Sequence, residues 1–175
     1  MTIRFLLLFL FSFSFCAVSK AIDLSTVPSE LFINEHLNIL QDPSADLSFE
    51  HAFKQYTQGN FAKNVNERVS FGFTHDVIWA SVLITNSTEK EIKKVIYLDT
   101  AWLDRADFYF IRQNKVVDTG FIGDTLPFNI RKNQTRMGAQ PHTFESGTTQ
   151  VLMRFESKDP LLIPLYLSSE EVIEN

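Results

Sequence analysis

A chain of 175 residues has room for one domain with a real hydrophobic core and little room for two. The net charge is a modest −5, with Lys and Arg scattered and no basic run, which argues against nucleic acid as a partner. A single cysteine, Cys16, excludes an internal disulfide framework, so packing alone must hold the fold.

The first 21 residues read as a secretory signal peptide. Arg4 supplies the positive start, residues 5–15 are apolar apart from Ser12 and Ser14, and Ser19-Lys20-Ala21 offers small residues for a cut after Ala21. The run falls short of the ~20 apolar residues of a membrane span. Phe15 stands where a lipidated cysteine normally has a small neighbour, which argues against lipoprotein processing at Cys16. Cleavage would leave residues 22–175 as a single extracytoplasmic domain without cysteine in an oxidising compartment.

Residues 22–30 form a polar lead containing Pro28. Short extended segments are predicted at 31–33 and 36–40, ended by a turn cluster at 41–44. Ser48 is the expected N-cap of a helix over 49–57. Phe49, Ala52, Phe53 and Tyr56 share one face of it, His51 stands in the capping-box position, and Gly59 closes it. Residues 58–70 are polar and turn-rich. From 77 to 84 the chain is apolar on both faces, which predicts a central strand covered from both sides.

After a loop at 86–90, residues 92–98 resume the strand pattern and lead into the stretch 95–111, around which the chain is organised. Ala106, Phe108 and Phe110 alternate with Asp107, Tyr109 and Ile111, the period of a strand with one buried face. Residues 112–115 predict a hairpin loop, with Val116 and Val117 starting the return strand. Gly120, Gly123 and Pro127 predict turns, residues 131–142 a loop or edge strand, and Gly147 another turn. Residues 149–156 alternate as a strand, 157–160 turn the chain, and 161–167 form the last strand. Pro164 within it favours an edge position or a bulge. Short strands spaced by turns, with one short N-terminal helix, predict an all-β fold, a jelly-roll-like β-sandwich with its core at about 35–171.

Just ahead of the alternating strand stand Asp99, Trp102, Asp104 and Arg105. Trp102 beside Asp104 and Arg105 could make a sugar site, because an indole face stacks on the apolar face of a pyranose while charged groups fix its hydroxyls. The competing structural reading has Trp102 capping the core and Asp104 or Asp107 pairing with Arg105 or satisfying a turn. Trp79, inside the doubly apolar run, reads as core. Arg131 offers a planar fork for a carboxylate or a sugar hydroxyl, or a brace for a loop. His142 and Arg136 are further ligand candidates from the same polar stretch, with solvated surface as their default.

Catalysis finds little support. Asp104 and Asp107, three apart on a strand, fall on opposite faces rather than forming a carboxylate pair. There is no Gly-x-Ser-x-Gly, no phosphate loop and no mature cysteine nucleophile. His36, His51, His75 and His142 lack zinc spacing. Calcium on Asp99, Asp104 or Asp107 is the one metal reading with any chemistry behind it, and no metal or cofactor is expected. The sequons at Asn86 and Asn133 matter only in a eukaryotic secretory pathway.

The order of features is more informative than any one of them. Phe71-Gly72-Phe73, Val77-Ile78-Trp79-Ala80, Asn86, the 103–109 segment LDRADFY, a Gly turn, Arg131, Val151-Leu152-Met153-Arg154 and Leu162-Ile163-Pro164-Leu165 follow one another. This series resembles the type 2 extracellular domain of bacterial seven-transmembrane receptors with diverse intracellular signalling modules. The resemblance implies a jelly roll outside the cytoplasmic membrane and a sensory role, with a carbohydrate or another small molecule as ligand. Members of that family continue into seven membrane helices and a cytoplasmic output such as a diguanylate cyclase or histidine kinase. The expectation is therefore a periplasmic ligand-sensing domain whose output lies beyond Asn175. The alternative is a stand-alone secreted binding or adhesion module.

Overall fold

The computed structural model describes residues 20–100, 102–123 and 138–173. The apolar run at 5–15 that predicts a signal peptide, Cys16, Pro127, Arg131, Arg136 and the Asn133 sequon lie outside the described residues.

The doubly apolar run forms strand β6 (Val77–Asn86), the centre of a seven-stranded sheet. Along one edge of β6 runs antiparallel β11 (Gly147–Glu156), then β8 (Arg105–Arg112), then β9 (Lys115–Ile122). Its other edge is shared. Antiparallel β3 (Asn38–Asp42) takes Val77 to Ser81, with β4 (Ala62–Lys63) outside it, and the short parallel β1 (Ile22–Asp23) takes Ile84 and Thr85. A second sheet is built from β10 (Gly138–Phe144), β7 (Ile92–Leu98), β13 (Leu165–Ser168) and β2 (Glu30–Phe32), in that order. A two-stranded ribbon pairs β5 (Ser70–Gly72) with β12 (Leu161–Leu162).

Period-two alternation decides what lies between the sheets. From β6 come Ile78, Ala80, Val82 and Ile84, from β8 Ala106, Phe108 and Phe110, and from β11 Val151, Met153 and Phe155. They meet Ile96, Leu98, Leu165 and Leu167 of the second sheet in one continuous core. Burying each large side chain of this kind contributes roughly 1.5–3 kcal/mol. Two buried asparagines tie the layers across long stretches of sequence. Asn34, in a 3-10 turn, donates to the carbonyls of Glu67 and Ile163 and accepts from the Leu165 N–H. Asn86 donates to the carbonyls of Lys90 and Phe144. With its amide fully engaged and buried, the Asn86 sequon is a loop staple rather than an exposed acceptor.

Helix α1 (Phe49–Thr57) forms where expected, capped by Ser48 Oγ, which accepts from the His51 N–H. It lies on the outer face of the seven-stranded sheet, so β8 is covered on both sides rather than one. Ile111 and Tyr109 pack with Trp79, Leu152, Phe49 and Ala52 in a separate apolar cluster. The 112–115 hairpin closes through Gln113 and Asn114, both at positive φ.

Three expectations change. Gly120 is no turn but part of β9. A β-carbon there would sit 1.8 Å from Gln140 Oε1, so the glycine serves close approach. The last strand is two, β12 and β13, and β13 lies between β7 and β2 rather than at an edge. Pro164 sits in the break, where its carbonyl accepts the Asp99 N–H. A second short helix, α2 (Glu170–Ile173), follows β13. β10 is an edge strand, as the polarity of its stretch implied. Among the described residues no helix is long and apolar enough to cross a membrane.

Candidate functional site

The connection from β7 to β8 crosses from one sheet to the other, and its side chains alternate. Leu103 is buried in the core, while its neighbours Trp102 and Asp104 face out. Trp102 is 47% exposed. Its indole Nε1 donates to the Pro160 carbonyl at 3.3 Å, and its own carbonyl accepts from Ser157 Oγ at 3.5 Å. Asp104 Oδ2 accepts the Lys158 N–H at 2.6 Å. Both residues therefore grip the turn between β11 and β12. That turn walls a cleft of about 350 Å³, lined also by Asp104, Glu156, His75 and Asp76. Gly123 packs against the back of this corner, where an added β-carbon would lie 2.1 Å from the Asp104 carbonyl oxygen. Residue 124 is the first of the segment that carries Arg131, which lies outside the described residues.

Arg105, next in sequence to Asp104, belongs to a different cleft. It forks onto Asp107, two residues along the same face, with Nε 2.9 Å from Oδ1 and Nη2 2.8 Å from Oδ1. That hydrogen bond and the Asp107 charge hold the Arg105 guanidinium above its ordinary pKa. Across the ladder, Arg154 lies 3.7 Å from Asp107 Oδ2 and 2.7 Å from Glu156 Oε2. Asp107 is thus shared by two arginines with its side chain only 10% exposed. Glu156 lines both clefts and is the wall between them.

His142 lies apart from both. It stacks on Phe110 with ring centres 3.8 Å apart, places Nδ1 2.9 Å from Asp118 Oδ2, and is 8% exposed, so it is buried rather than solvated. Phe110 is five residues beyond Arg105 on β8, roughly 17 Å at ~3.4 Å per residue. Sequence reasoning thus grouped residues that fall into three places. Trp102 and Asp104 come together, Arg105 is across Glu156, and His142 is at the far end of the strand. Asp104 satisfying a turn and Asp107 pairing with Arg105 are the contacts of the structural reading. No group of three or more His, Cys, Asp or Glu able to hold a metal ion exists among the described residues.

The sequence reading overlooked the outward charges of β11. Arg154 and Glu156 alternate with buried Met153 and Phe155, just as Arg105 and Asp107 alternate with Ala106 and Phe108. Two strands carrying the same alternating charge at their ends were a legible signal for a polar patch on a sheet face.

The family model described as 7TMR-DISM extracellular 2 matches residues 34–169. No curated protein matches the chain. Among solved structures, CsCBM6-3 from Clostridium stercorarium, solved in complex with cellobiose, is similar at 11% identity and a TM-score of 0.33, over 87% of this chain and 100% of that one. That likeness is too loose to argue from.

Proposed function

Because the chain belongs to the 7TMR-DISM extracellular 2 family, we propose that it is the periplasmic ligand-sensing domain of a bacterial membrane signalling receptor. The ligand is a carbohydrate or another small polar molecule, bound without turnover. Residues 1–21 direct export and are then removed, and β1 opens at Ile22, immediately after that cut. The ligand platform is the corner of Trp102 and Asp104, with Arg131, from the segment after Gly123, as a further candidate; Arg105 belongs to the cleft beyond Glu156. His142, at the other end of β8, is left out of it.

One observation carries this reading. Trp102 is a large apolar ring held half-exposed by its own N–H, which donates to Pro160 in the turn whose residues Ser157 and Lys158 wall the cleft. A tryptophan needed only for packing would turn its ring inward. A held, open indole beside a carboxylate suits an apolar ring face with hydroxyls at its margin.

Calorimetric titration of the exported protein with neutral sugars tests the assignment. Trp102→Ala is expected to weaken binding about tenfold, or ~1.4 kcal/mol, with the melting temperature little changed. Unchanged affinity in a folded Trp102→Ala protein would reject the platform. Edman sequencing of the same preparation should begin at Ile22.

A further inference from the structure

The cleft beyond Glu156 has a chemistry of its own. Its volume is about 300 Å³, and it lies where the first turn of α1 meets the outer face of β6, β11 and β8. Trp79 lines it, is fully buried, and has an indole Nε1 without any hydrogen-bond partner. Buried donors are almost always paired, so an orphan beside a cleft is met by an ordered water or by a ligand oxygen that takes the water's place.

The other walls say what kind of acceptor. Arg105 and Arg154 face Asp107 and Glu156, two positive charges against two negative, already paired with each other. The cleft therefore asks for no net charge. Both Asp107 oxygens are engaged, whereas the Trp79 N–H and the Tyr109 hydroxyl donate to no described residue. Burial raises the Tyr109 pKa, so the phenol keeps its proton at neutral pH. Donors thus outnumber acceptors, and a ligand must bring lone pairs. The accessible wall is mostly polar, and behind it Phe49 and Trp79 pack on Tyr109 with ring centres 4.5 and 6.3 Å away.

We propose that this cleft is a second binding site, for a single uncharged ring rich in oxygen, a neutral monosaccharide, with the Trp79 N–H donating to one of its oxygens. The volume sits at the small end of ligand pockets, about 300–1,000 Å³, which limits the occupant to about one ring. The site is independent of the Trp102 platform, and the chain's two tryptophans, one at each place, allow them to be read separately.

Trp102→Phe leaves Trp79 as the sole indole emitter. Titrating that variant with D-glucose, D-galactose and D-xylose, and with D-glucuronate as the charged match, is expected to give a saturable change in Trp79 emission with at least one neutral sugar and weaker binding of the uronate. In the parent chain, calorimetry should then show the same sugar's site weakened at least tenfold by Trp79→Phe and at least threefold by Tyr109→Phe. The second variant removes only one oxygen and keeps the test open if the first fails to fold. No response of Trp79 to any of the three sugars, tighter binding of glucuronate than of glucose, or a site untouched by Tyr109→Phe overturns the proposal. Unchanged affinity in a folded Trp102→Ala protein, together with a surviving Trp79 response, would reject only the platform.

Discussion

The two faces of the seven-stranded sheet are made by the same strands, yet they are different materials. On the inner face Phe108, Phe110, Met153 and Phe155 meet the second sheet, with polar chemistry at the Asp118–His142 pair beside Phe110. On the outer face the cover is one nine-residue helix. Phe49, Ala52 and Phe53 pack against Val77, Trp79 and Leu152, and past them the strands carry Arg105, Asp107, Arg154 and Glu156. A sheet covers a sheet, but a helix covers only a stripe about 10 Å wide. The uncovered remainder is where this fold can place polar chemistry without disturbing its core.

That contrast can be broken most severely from inside. Phe108→Ala opens a cavity in a layer with no room to relax, and should lower stability by about 3–5 kcal/mol. Denaturant unfolding that shows less than half of this would mean the inner face is not the rigid one. Asp107→Ala acts on the outer face, stripping two arginines of their shared partner. Arg105 is half-exposed and water can take it over, so the loss should be only about 1–2 kcal/mol, below the cost of breaking a fully buried pair.

Gly120→Ala probes where β9 closes on β10. The new methyl meets buried Gln140, and overpacking of this kind costs about 1–2 kcal/mol. Pairing it with Gln140→Ala should recover most of the loss, and additive effects would show that the contact is not the cause. The smallest effect belongs to Asp42, which holds the loop into α1 by accepting from the N–H groups of Ser44 and Leu47 and from the Ser44 hydroxyl. Burial pushes its carboxyl pKa up, but those hydrogen bonds outweigh it and leave it below the ordinary 3.8. A depressed carboxylate stabilises the fold above its unfolded pKa and loses that contribution as pH falls through the folded value. Asp42→Asn should therefore cost about 1 kcal/mol at neutral pH, with the gap to the parent narrowing once the pH drops below 3.8. A gap that is constant with pH would detach the effect from ionisation.

Much of this was written in local pattern. Ser48 and the Phe49, Ala52, Phe53 spacing placed α1 to the residue, and the run at 77–84 announced a strand covered twice. What failed did so for reasons of geometry that adjacency hides. Asp104 and Arg105 are neighbours in sequence and diverge in space, since successive strand residues face opposite ways. Gly120 looks like any turn glycine until Gln140, twenty residues on, is laid beside it. Trp79 reads as core and is core, fully buried beside Val77 and Leu152. What the local pattern could not show is that its indole N–H is left unpaired.

The pairing of β2 with β13 has a mechanical consequence. Glu30 lies opposite Ser168, and the Ser169 N–H donates to the Ser29 carbonyl at 2.8 Å, so the start of β2 and the end of β13 meet at one corner. A load applied between residues 29 and 169 would not shear the ladder, with every bond resisting at once. It would peel the ladder open, one hydrogen bond at a time, beginning at the corner. The β2–β13 pair is thus weakest to tension applied between those two residues.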